Sequence, residues 1–363
     1  MSDPLRHVKP AVRRLPAYTL AAREAPVKVN QNENPFDLPE PLKRRVVEGA
    51  MARAWSRYPP FEPKELLEKL AAFSGWRADG ILAGNGSNEL IEALLLVTVG
   101  PGTRVVIPEP TFTLYALLTG VLGGDAVRVP LTEDLLYDVP ALMAARRDAA
   151  LTVVCSPNNP TGGVLAVDEV RRLCEEGDGL VVVDEAYHEF AEETVVPLLS
   201  RHENLVVLRT FSKAMGLAGL RLGYLLAWPG LVREVNKGRL PYNLNFFSQM
   251  AALVALEAYD AVLRPNVERL GRLREELFSS LKKEPGLRVF PSRANFLLVE
   301  VQEADPRAVF ESLYAQGILV RDVTSYKRLE RCLRISVGSE EENARLLAAL
   351  PAALRAGTAV GRV

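Results

Sequence analysis

The chain predicts an α/β fold: a large domain with a mostly parallel sheet sandwiched by helices, followed by a smaller α+β domain. Three observations predict it. Between about residues 80 and 230, short continuous apolar runs rich in β-branched residues alternate with stretches of helical periodicity. Several of these runs end in polar residues, as strands do when a sheet holds a ligand at its carboxyl edge. After Pro241 the texture changes to one long segment rich in Leu, Ala, Arg and Glu, then to short strands mixed with helices.

The elements follow in order. Residues 1–40 carry Pro4, Pro10, Pro16, Pro26, Pro35 and Pro39, and read as an irregular arm with at most short elements, packing on the small domain or on a partner subunit. Residues 41–250 form the large domain. Its strands are expected at 104–107, 126–129, 151–155, 180–183 and 205–208, and its helices include 88–97, 111–118 and 167–176. Residues 251–363 form the small domain. A helical stretch over 248–283, interrupted at Pro265, leads into it, and strands follow at 288–290, 295–301 and 332–337.

Composition narrows the function. With 48% hydrophobic and 25% charged residues, a chain of 363 residues has ample material for a core. A formal net charge of −1 argues against a nucleic-acid surface. Cys155, Cys174 and Cys332 are scattered without a C-x-x-C pair, which suits a reducing compartment. His7, His188 and His202 show no metal-ligand spacing, so no metal is expected. There is no signal-type apolar stretch, and runs such as 94–99 are too short for a bilayer. The expectation is a cytoplasmic protein without membrane attachment.

The chemistry concentrates after the apolar runs. Thr210-Phe211-Ser212-Lys213 follows the run 205–208, and Arg221 comes eight residues later. A lysine there can form a Schiff base, while hydroxyls and an arginine beside it can hold a phosphate; pyridoxal 5'-phosphate needs both. Asp184 ends the run 180–183. It reads as a helix cap, as the magnesium aspartate of a P-loop ATPase, or as the partner of a pyridinium nitrogen. The chain has no Gly-Lys dipeptide, so the ATPase reading fails. Asn159, among Pro157, Pro160, Gly162 and Gly163, is either part of a plain turn or a rigidly held donor beside a ring oxygen. Gly84-Asn85-Gly86-Ser87-Asn88-Glu89 opens a helix, and either caps it or offers free N–H groups to a phosphate. Phe112 is a core ring or a stacking face for a flat cofactor. Arg334, inside the apolar run 333–337, needs an anion: a structural carboxylate or a substrate's. Arg321 is a second anion clamp or a surface residue.

In this order, the motifs resemble the fold-type I pyridoxal-phosphate-dependent aminotransferases, most closely the histidinol-phosphate aminotransferases. Asn32-Glu33-Asn34-Pro35, Arg57-Tyr58-Pro59, Leu217-Ala218-Gly219-Leu220-Arg221, Gly317 to Asp322 and Leu333 to Gly338 carry that likeness, which spans about residues 15–355. The resemblance implies that Lys213 is the Schiff-base lysine and proton carrier, that Asp184 pairs with the ring nitrogen, and that Tyr187 and Asn159 contact the ring oxygen. It implies that Phe112 stacks on the ring and that Ser87, Asn88, Thr210, Ser212 and Arg221 hold the cofactor phosphate. It further implies a homodimer in which Tyr58 reaches the neighbouring site. Arg334 would take the α-carboxylate of glutamate and Arg321 is the candidate for the phosphate of histidinol phosphate, which either arginine could engage, with Tyr18, Asn32 and Asn159 also facing substrate. The family's arm carries Pro-Tyr followed by Pro-Gly; this chain departs with Leu15-Pro16-Ala17-Tyr18-Thr19-Leu20. The implied reaction exchanges an amino group between L-histidinol phosphate and 2-oxoglutarate, giving imidazole acetol phosphate and L-glutamate. An aromatic amino-acid aminotransferase and a regulator without turnover are the alternatives on this scaffold.

Overall fold

The computed structural model describes residues 3–16 and 22–360. Its first strand, β1 (Val27–Lys28), lies in the arm, and seven more build the large sheet: β2 (Ile81–Gly84), β3 (Arg104–Glu109), β4 (Asp125–Pro130), β5 (Leu151–Cys155), β6 (Leu180–Asp184), β7 (Leu205–Thr210) and β8 (Gly223–Ala227). The sheet order is β2-β8-β7-β6-β5-β3-β4. Every neighbouring pair from β7 to β4 is parallel, and β8 runs antiparallel between β7 and β2. Side chains alternate between the faces, as strand geometry requires. Val181, Val183, Leu205 and Val207 join one core with Leu66, Leu70, Val170 and Leu173 from helices. Val182, Val206 and Leu208 join another with Leu90, Leu94 and Tyr115. Apolar residues on both faces explain why these strands read as unbroken runs.

The structure corrects several details. β2 and β8 carry no sequence signal of their own, being short and glycine-bearing. The helix expected from residue 111 begins at Leu114, because the Thr111 hydroxyl is instead bonded to Asn158 Oδ1 at 2.6 Å. The long helical stretch is three pieces: Phe246–Ala258, a π-helical turn Tyr259–Leu263, and Arg264–Leu281. Pro265 has no N–H to donate, and the ladder is disrupted just ahead of it. A domain boundary at residue 250 falls inside Phe246–Ala258, whose Ala251, Ala252 and Val254 belong to the larger core. By length and composition, Phe246–Leu281 is apolar enough to cross a bilayer, yet half of its apolar window is buried in the fold.

The small domain pairs β9 (Leu287–Phe290), β10 (Phe296–Val301), β12 (Arg321–Asp322) and β13 (Cys332–Ser336) antiparallel in the order β12-β13-β10-β9, with β11 (Ile318–Leu319) beside them in sequence. The arm takes part in this domain. β1 pairs with β11, Val27 opposite Ile318, and Val27 and Val29 are buried with Leu297, Leu333 and Leu346.

Candidate active site

The parallel strands end at one edge, so Cys155, Asp184 and Thr210 and the loops after them converge. They open on a cavity of about 450 Å³ between the large sheet and the small domain. Ser87, Asn88, Phe112, Asn159, Asp184 and Tyr187 line it, as do Thr210, Ser212, Lys213 and Arg221. Asn32, Arg321 and Arg334 complete the expected set from the other side. Two sequence-predicted residues stand apart. Tyr18 lies outside the described residues. Tyr58 is 80% exposed and stacks on Tyr242, away from its own chain's cavity.

One end of the cavity is built for proton chemistry. Asp184 is buried, and its carboxylate accepts from Tyr115 Oη at 2.6 Å and from the Ala186 N–H at 3.0 Å. Burial pushes its pKa up to about 6, against the pull of those two donors. Lys213 donates to the Gln31 carbonyl at 3.0 Å and lies 5.9 Å from the centre of the Tyr187 ring. Desolvation in the cavity, helped by the charge of Arg334, lowers the Lys213 amine to about 7. A carboxylate and an amine shifted toward neutrality in one cleft mark a site that moves protons. Tyr187 is buried and receives a hydrogen bond from Asn32 Nδ2 at 3.0 Å; burial raises its phenol, which stays protonated.

Another part of the cavity is an anion cup. The helix Ser87–Thr98 starts without a side-chain cap on its first N–H groups, and its first two residues, Ser87 and Asn88, line the cavity. Gly86 before it sits at φ 83°, a conformation open to glycine. The Thr210 hydroxyl donates to Ser212 Oγ at 3.0 Å, and Arg221 Nη1 donates to the same oxygen at 3.2 Å. A Cβ on Gly86 would come within 2.6 Å of the Arg221 guanidinium, so glycine keeps this cup open.

The third wall is cationic. Arg321 and Arg334 are direct cross-strand partners in β12 and β13. Both line the cavity. Arg334 is fixed in place: it donates to Asn159 Oδ1 at 2.5 Å and to the Asn30 carbonyl at 2.7 Å, over the Phe296 ring. Asn32 has a positive φ of 54°, and its amide is engaged at both ends, with Tyr187 and with Ser336 Oγ. It lines the cavity while holding the Tyr187 hydroxyl.

Sequence reading missed Tyr115, Tyr326, the Gln31 carbonyl and the Asn295–Ser336 pair that grips Asn32. Tyr115 had a legible signal, since it lies three residues after Phe112 on an expected helix and so on the same face. The others sit in loops whose course only the fold sets.

Pyridoxal 5'-phosphate fits this donor set. The cup kept open by Gly86 suits a phosphate, and Lys213 and Asp184 line the same cavity. Residues 24–350 match the family model for aminotransferase class I and II. The chain is 40% identical to histidinol-phosphate aminotransferase of Chlorobium phaeovibrioides over 352 residues, 96% of this chain and 97% of that protein. It is equally 40% identical to histidinol-phosphate aminotransferase of Chlorobaculum tepidum, over 94% of this chain and 98% of that protein. Among solved structures it is similar to histidinol-phosphate aminotransferase from Sinorhizobium meliloti in complex with pyridoxal-5'-phosphate, with TM-score 0.87, 29% identity and coverage of 96% and 98%.

Proposed function

The chain belongs to the class I and II aminotransferases, which makes it a pyridoxal-phosphate-dependent transaminase, and on that premise we propose that it exchanges the amino group between L-histidinol phosphate and 2-oxoglutarate. The cross-strand pair Arg321 and Arg334 carries this reading. Two guanidiniums on one wall suit a substrate phosphate, and the same wall accepts the carboxylates of glutamate and 2-oxoglutarate. The curated relatives at 40% identity bear the histidinol-phosphate name, which supports the same choice.

Pyridoxal phosphate, when bound, supplies an electron sink for charge developing on the substrate carbon. We assign its phosphate to Ser87, Asn88, Thr210, Ser212 and Arg221, its ring face to Phe112, its ring oxygen to Tyr187 and Asn159, and its ring nitrogen to Asp184. Lys213 Nζ, neutral above about pH 7, takes the proton from the amine-bearing carbon of the substrate. Arg334, held flat by Asn159 and Asn30, orients that carbon toward Lys213.

We further propose a cytoplasmic homodimer in which Tyr58 completes the neighbouring phosphate cup. Exposed Trp55, Tyr58, Phe61 and Tyr242 form an aromatic surface that a partner subunit would cover.

A half-reaction assay with a panel of amino donors tests the substrate. Histidinol phosphate and glutamate should both turn over, and Arg321→Ala should raise KM for histidinol phosphate about tenfold or more, a loss matching one charge-assisted contact. Turnover of phenylalanine with none of histidinol phosphate would overturn the assignment.

A further inference from the structure

We propose that Tyr115 is a positioning residue that couples the ring-nitrogen carboxylate of Asp184 to the stacking face of Phe112. The proposal rests on the cofactor reading of this cavity. Tyr115 is fully buried on the helix Leu114–Leu122 and forms two oriented contacts. Its hydroxyl donates to Asp184 Oδ2 at 2.6 Å. Its ring meets Phe112 edge-to-face, with centroids 5.6 Å apart and planes at 84°. Phe112 lies in the loop before that helix and Asp184 ends β6, and one side chain touches both.

The hydroxyl has one direction in which to act. Burial and the Asp184 charge hold the Tyr115 phenol well above its ordinary value, so it remains a donor. The groups acting on the Asp184 carboxylate are Tyr115 from its helix, Cys155 from β5, Tyr137, and Glu185, Tyr187 and Lys213 from the strand ends. Cys155 is pushed up by burial, as are the phenols of Tyr137 and Tyr187, so all three stay uncharged at neutral pH. Tyr115 is the side-chain donor to the carboxylate among the described residues; the other donor is the Ala186 backbone N–H. Removing the hydroxyl leaves one carboxylate oxygen buried without that donor, and the ionised form loses support.

Titration of Asp184 by carbon NMR in the cofactor-free protein reads this directly. Tyr115→Phe should raise the midpoint by about 1–2 pH units, the equivalent of one hydrogen bond to a charged group. In the loaded enzyme the acid limb of kcat should move up in the same direction, with KM for the amino donor unchanged. Tyr115→His, which restores a donor, should return the limb toward its original place. Tyr115→Met, which fills the space without a donor, repeats the test if the Phe variant fails to fold. An Asp184 midpoint unmoved in a folded donor-free variant overturns the proposal. The cofactor reading fails separately, if Lys213→Ala keeps a covalently held cofactor, and that result leaves the NMR measurement intact.

Discussion

At Lys213 the decisive quantity is the charge of one amine. Burial and the facing Arg334 favour the neutral form, and the pKa falls to about 7. Only the neutral amine attacks a carbonyl. The rate at which cofactor-free protein captures pyridoxal phosphate should therefore rise with pH and level off above about 7; an ordinary lysine would keep climbing toward 10.5. Stopped-flow absorbance across pH 6 to 10 checks this, and a rate still climbing at pH 9 would contradict it. The lysine's place just beyond the end of a buried strand was legible in the sequence, because the apolar run 205–208 leads directly into it. Its shifted pKa was not, since that depends first on burial in the folded cavity and then on Arg334, 121 positions away in the numbering. Asn32 was offered by the sequence to the substrate; in the fold it lines the cavity, and its bonds to Tyr187 and Ser336 are what the sequence could not show.

Among the elements, β6 and β7 hold the site from behind. Glu185 follows Asp184 and is buried with Arg209, one residue before Thr210; the pair meets at 2.9 Å with side chains 3% and 4% exposed. Glu185 also accepts from the Val195 N–H at 2.7 Å and from the Thr194 hydroxyl at 2.9 Å. Glu185→Ala would strand a buried guanidinium and should cost about 3–5 kcal/mol of stability. A urea titration reads it, and replacing both partners with apolar residues of similar volume should cost less. The strands carrying this pair were legible because they are apolar on both faces. β2 and β8 were not: four and five residues with glycine leave no periodicity to read. Pairing with β7 makes β8 a strand, and pairing with β8 does the same for β2.

For the whole molecule, the passage from the parallel sheet to a smaller α+β unit was legible from the change of texture after Pro241, and packing on the small domain was one of two places the sequence offered the arm; the strand that does it was not legible. A strand of two residues, Val27–Lys28, cannot announce itself, yet it ties the arm into the small domain. The proposed homodimer predicts a sedimentation mass of twice 39.9 kDa. It also predicts that Tyr58→Ala weakens cofactor retention without touching its own chain's cavity. Mixing Tyr58→Ala with Lys213→Ala chains should restore part of the activity, because a hybrid dimer pairs an intact lysine with an intact tyrosine. A monomeric mass, or a mixture no more active than its components, would remove the shared site.

The grip of Ser336 and Asn295 on Asn32 has a consequence in time. The Asn32–Ser336 bonds join residues 304 positions apart, and Asn32 in turn positions Tyr187. Domains fold as units during synthesis, and contacts this distant in the chain close late. On the ribosome the large sheet can form with Lys213 and Asp184 already at its edge. Tyr187 gains its partner only after β13 has emerged and docked. A nascent chain arrested before residue 332 is thus expected to be folded in its larger part and catalytically silent.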